Sequence, residues 1–152
     1  MTDARVGGTA RLLGFAGLAP AFAAVILLAL GERLAAIVSL AYPLLILSFL
    51  GGMWWGFAMQ TQRNQALLAT IAVVPSLVAL ALGAAFLLTN GSGWTLVATG
   101  VALMLTLPVD RWLVTSGIAP VDWMRLRIPL SLGLGALTIL AGALFGHPVV
   151  EY

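Results

Sequence analysis

The 152-residue chain contains no cysteine and a single histidine, His147. The first absence removes disulfides, thiolate nucleophiles and cysteine metal sites, and the second removes any multi-histidine metal centre. Lysine is missing as well, so all seven cationic side chains are arginines. Charge of either sign is scarce, at 8% of residues where a soluble domain carries about 25%. The sequence has no Ser-His-Asp set, no paired carboxylates, no phosphate-binding glycine loop and no CxxC. No enzymatic activity, cofactor or metal is expected. A net charge of +2, carried by arginines that flank apolar runs, speaks against nucleic acid as a partner.

What the chain has is apolar length. With 62% hydrophobic residues it cannot cover itself with polar groups in water, and a lipid bilayer is its natural solvent. Sparse charges and turn residues cut it into runs. Leu12–Gly31 is uncharged and long enough to cross about 30 Å of hydrocarbon as a helix. Ala21-Phe22-Ala23 resembles a leader cleavage site, but the apolar run continues through Leu30, so a first span is read here. Glu32 and Arg33 make a turn, Leu34–Met59 is the second span, and Gln60–Gln65 is a loop. Ala66–Leu107 is too long for one helix, and Asn90-Gly91-Ser92-Gly93 splits it into spans near Ala66–Thr89 and Trp94–Val114. Arg125–Gly146 is the fifth. The expectation is an all-α fold, a single integral membrane domain over 1–152 built as a five-transmembrane-helix bundle.

Alternating crossings put Arg5, Arg11, Arg63, Arg111, Arg125 and Arg127 on one side and Arg33 on the other. The positive-inside rule makes the first side cytoplasmic, in a bacterial inner membrane, with the C-terminus outside. Each span also holds a proline: Pro20, Pro43, Pro75, Pro108 and Pro129. Pro129 is expected in a first turn and the other four at kinks.

Two segments are dense in motifs. In YPLLILSFLGGMWWG, Tyr42–Gly56, the residues Ser48, Gly52 and Gly56 recur every four positions and predict a close helix-packing face, which Gly51 widens. A bulky side chain at Gly52 should therefore disrupt assembly. Trp54, Trp55, Trp112 and Trp123 gather at one level, as an aromatic belt or as a pocket wall. The second segment joins LPVDRW, Leu107–Trp112, to APVDWMRLRIPLS, Ala119–Ser131. Asp110 is embedded near a helix end and should pair with Arg127 or Arg125, because adjacent Arg111 faces another way. Trp54, Trp55, Trp123 and Arg125 are the candidate lipid or ligand contacts.

These segments, with LLGFAGLAP at Leu12–Pro20 and VPSLVAL at Val74–Leu80, resemble the bacterial membrane family known as domain of unknown function 3429, the transmembrane protein 69-like proteins. The similarity covers nearly the whole chain and implies five spans without implying an activity. Trp54, Met124 and Ser131 depart from the family pattern.

Three functional expectations remain. Short loops, small-residue faces and absent catalytic groups favour a non-enzymatic accessory or scaffold protein packed with a larger membrane complex, a membrane-protein partner or a second copy of itself. Kinked helices and clustered tryptophans suggest instead a carrier or receptor for a hydrophobic ligand (lipid, quinone or tetrapyrrole). Asp110 suggests a proton or ion translocator.

Overall fold

Backbone polar groups find no water in hydrocarbon, so the long uncharged runs satisfy them internally as helices. The structure is a computed structural model and describes residues 7–32, 34–62 and 64–146. Arg5, Arg33, Arg63, His147 and the tail 148–152 lie outside the described residues. The helices are α1 (Gly8–Ala16), α2 (Ala19–Ala29), α3 (Ala35–Met59), α4 (Gln65–Leu88), α5 (Gly93–Leu105), α6 (Leu107–Thr115) and α7 (Trp123–Gly146). Among the described residues there is no strand. Taken as α1 with α2, α3, α4, α5 with α6, and α7, they form five helical stretches long and apolar enough to cross a membrane.

Two spans are broken rather than kinked, and proline explains both. Pro20 and Pro108 sit in the first turn of α2 and α6, where the missing N–H has no intrahelical partner to lose. The preceding helices stop at Ala16 and Leu105. Pro43 and Pro75 lie inside continuous helices. Pro129 corrects the expectation of a first-turn residue: α7 begins at Trp123, so Pro129 lies in the helix interior. Left-handed backbone at Asn90 and Gly91 ends the third span where the turn residues predicted.

Burial is layered along the bundle. Leu28, Ala36, Leu40, Leu96 and Ala141 meet toward the Glu32 turn. Leu47, Leu50, Leu103 and Leu134 fill the middle. Trp54, Ala58, Leu68, Leu113 and Ala119 close the end that carries the described arginines. A close seam joins antiparallel α5 and α7. A Cβ at Gly100 would lie 2.5 Å from the Gly135 carbonyl oxygen, and one at Gly142 would lie 2.6 Å from that of Gly93. Both helices thus meet through glycines seven residues apart, a spacing that returns to the same helical face.

The α3–α4 seam corrects the sequence reading. Gly51, not Gly52, is the contact: a Cβ there would lie 2.4 Å from the Ala72 carbonyl oxygen. Ser48 joins it by a hydroxyl–hydroxyl hydrogen bond to Ser76 at 3.0 Å. Gly52 and Gly56 are exposed and a Cβ on either would meet nothing within 4 Å. Of the four-residue stripe only Ser48 meets α4, while Gly52 and Gly56 point at the surrounding medium, because α4 packs on the face shared by Ser48 and Gly51.

Candidate functional site

The break after α5 builds a polar centre inside the bundle. It places Asp110 in the first turn of α6, where a carboxylate opposes the helix dipole favourably. Asp110 is fully buried. Its Oδ2 accepts from Arg127 Nε at 2.8 Å. Its Oδ1 accepts from the indole N–H groups of Trp54 at 3.0 Å and Trp123 at 3.2 Å. Arg127, itself buried, donates from Nη2 to Thr106 Oγ1 at 3.1 Å, and that hydroxyl donates to the Leu103 carbonyl at 2.7 Å. One carboxylate therefore ties α3, α6 and α7 together through three donors. By helix rise, Asp110, Arg127 and Trp54 lie about 6–8 Å in from Thr115, Trp123 and Met59, the ends of their helices on the arginine-rich side.

Beside this centre is an apolar cleft of about 480 Å³, walled by α1, α3 and α7. Leu13, Ile46, Phe49, Met53, Leu130 and Leu134 supply much of its wall. Trp123, Arg127 and Ser131 supply its polar edge. Trp123 is steadied from behind by an edge-on contact with Phe57, ring centroids 5.9 Å apart. At the α1–α2 break the Gly17 carbonyl accepts a hydrogen bond from the Tyr42 hydroxyl, and both residues line the cleft. An ion pair between Arg11 and Asp122 fastens α1 to the start of α7. None of α1's own residues is buried, so this pair and a few apolar contacts hold it.

The predicted residues separate into three groups. Asp110 and Arg127 are paired, while Arg125, two positions away and so on the other side of α7, is exposed. Of the four expected lipid or ligand contacts only Trp123 lines the cleft. Trp54 corrects the reading as a lipid contact, because its indole is buried against Asp110. Trp55 faces outward, 46% exposed. The helix-packing set divides as described, with Ser48 and Gly51 in the seam and Gly52 and Gly56 outside it. Sequence reasoning missed Ser131 and Tyr42 as cleft residues. The readable signal was spacing: Arg127 and Ser131 are four apart and share a helical face. Among the described residues no cluster of three or more metal-ligating side chains occurs.

The profile of a protein family described as protein of unknown function (DUF3429) matches residues 6–143. No curated protein and no solved structure gives a significant match.

Proposed function

The chain belongs to the DUF3429 family of proteins of unknown function, and from that premise we propose that it is a non-enzymatic integral membrane protein that takes a hydrophobic molecule out of the bilayer into the cleft between α1, α3 and α7. The observation that carries this reading is the cleft itself. Its volume of about 480 Å³ lies within the range of roughly 300–1,000 Å³ typical of ligand sites. Its wall is apolar with a few convergent polar groups, which is how such sites combine affinity with orientation. The Asp110–Arg127 centre holds α6 and α7 in fixed register and so keeps the polar edge in place. In the same proposal the membrane is a bacterial inner membrane, the arginine-rich end of the bundle is cytoplasmic, and no nucleic acid is involved.

Purification in mild detergent followed by native mass spectrometry tests the reading. A small particle carrying a stoichiometric organic molecule is the expected result. Protein with an empty cleft, from several detergents, would sink the carrier or receptor reading.

The accessory or scaffold reading is favoured by one different observation. The α4 flank exposes Leu67, Val73, Val74, Leu77 and Leu80, and a membrane-protein partner or a second copy would cover it. Lipid covers the same surface, so this reading stands only if a protein companion travels with the chain in the same preparation. A proton or ion translocator receives less support. Both oxygens of Asp110 are engaged by indole and guanidinium donors, which favours a fixed structural anion over a relay.

A further inference from the structure

We infer that the cleft selects a neutral, chain-bearing carbonyl compound, whose carbonyl oxygen accepts hydrogen bonds from Ser131 and Arg127; this rests on the ligand-binding reading above. Four observations lead there.

Ser131 Oγ is buried, with the residue 2% exposed, and has no hydrogen-bond partner. It lines the cleft. A buried hydroxyl left unpaired costs free energy that a ligand acceptor would recover. Arg127 lines the same cleft one helical turn away, on the same face of α7. Its Nε and Nη2 are engaged by Asp110 and Thr106, and the guanidinium makes no other hydrogen bond to a described residue. It therefore has N–H donors left for an acceptor in the cleft.

Charge then decides the class. Asp110 neutralises Arg127, and Arg11 at the outer end of α1 is paired with Asp122. Among the described residues that line the cleft, an anionic head would meet no uncompensated cation, and it would have to compete with a fully buried carboxylate. A neutral acceptor can take the Ser131 hydroxyl and the spare Arg127 N–H donors without that cost.

Depth decides against a phospholipid head. Ser131 lies eight residues into α7, about 12 Å along the helix from Trp123. A polar group reaching that depth must be small and uncharged, since charge at such depth is expensive. The remaining wall is apolar and suits a hydrocarbon chain. A quinone with an alkyl or isoprenoid tail and the ester of a monoacylglycerol both have this chemistry.

The test is equilibrium binding of four probes to the whole protein in mild micelles: a decyl-substituted benzoquinone, monoolein, oleate and hexadecane. Both carbonyl probes, or one of them, should bind more tightly than oleate and hexadecane. Ser131→Ala should weaken carbonyl probes about threefold to tenfold, the size of one neutral hydrogen bond, and leave hexadecane unchanged. Leu130→Trp, which narrows the cleft, should abolish binding of every probe. Ile46→Phe serves the same purpose should Leu130→Trp fail to fold. Which carbonyl probe binds better identifies the source, quinone or ester.

Equal affinity for all probes, lost on narrowing the cleft, overturns the carbonyl inference and leaves the ligand-binding reading standing. Preference for oleate overturns it in the same way. Binding that ignores both narrowing variants, or no binding at all, overturns both.

Discussion

Removing the Asp110 carboxylate leaves the Arg127 guanidinium buried without its counter-charge and strands two indole N–H groups. Asp110→Ala should therefore lower stability by about 3–5 kcal/mol, the range for breaking a buried pair. Reversible unfolding in mixed micelles would measure it. Replacing both partners, Asp110→Leu with Arg127→Leu, should cost less than either single loss, because no uncompensated charge remains. Exchanging the two charges should not restore stability, since a guanidinium at 110 would face the donors of Trp54 and Trp123. Equal costs for single and double variants would contradict the electrostatic account. The pairing was legible in the sequence because acids are so few: an arginine two turns or less into the next span had one embedded partner to find. The role of Trp54 was not legible. An indole near a helix end is equally at home in an interfacial belt, and only the approach of α6 turns it inward.

At the scale of the helix, glycine position separates contact from mere composition. Gly51→Ala puts a methyl group 2.4 Å from the Ala72 carbonyl oxygen, and α3 and α4 must move apart. The expected loss is about 1–3 kcal/mol, as for other overpacked sites. Gly100→Ala and Gly142→Ala should do the same at the α5–α7 seam. Gly52→Ala meets open space and should be neutral or slightly stabilising through helix propensity, about 0–1 kcal/mol. Detergent unfolding of this series would reverse the argument if Gly52 proved more sensitive than Gly51. The spacing of Ser48, Gly52 and Gly56 was visible in the sequence, but which of two adjacent glycines faces a neighbour depends on where that neighbour sits. The heptad-spaced glycines of α5 and α7 could have been matched in advance only by knowing that those two helices are antiparallel partners. The proline breaks were half legible. Pro20 and Pro108 announced an interruption, but a kink and a full break differ by whether nearby groups, such as the Tyr42 hydroxyl on Gly17, take up the released carbonyl.

For the whole molecule, the absence of cysteine makes a clean topology experiment available. Single cysteines at Gln62 and Ser116 should be shielded from an impermeant maleimide in intact cells, and cysteines at Glu32 and Ser92 should react. The reverse pattern would invert the proposed orientation; reaction at all four would deny membrane insertion. Sequence alone determined the all-helical class, the five apolar stretches and their turns to within a few residues. It could do so because hydrocarbon forces every backbone group into a local hydrogen bond, and charge and turn residues mark where that rule ends. Tertiary structure alone decided which glycine touches a neighbour, which tryptophan is buried, and that a cleft opens beside Arg127 and Ser131. Those are properties of several helices at once, and the uniform apolarity that makes each span easy to recognise leaves its inward face unmarked.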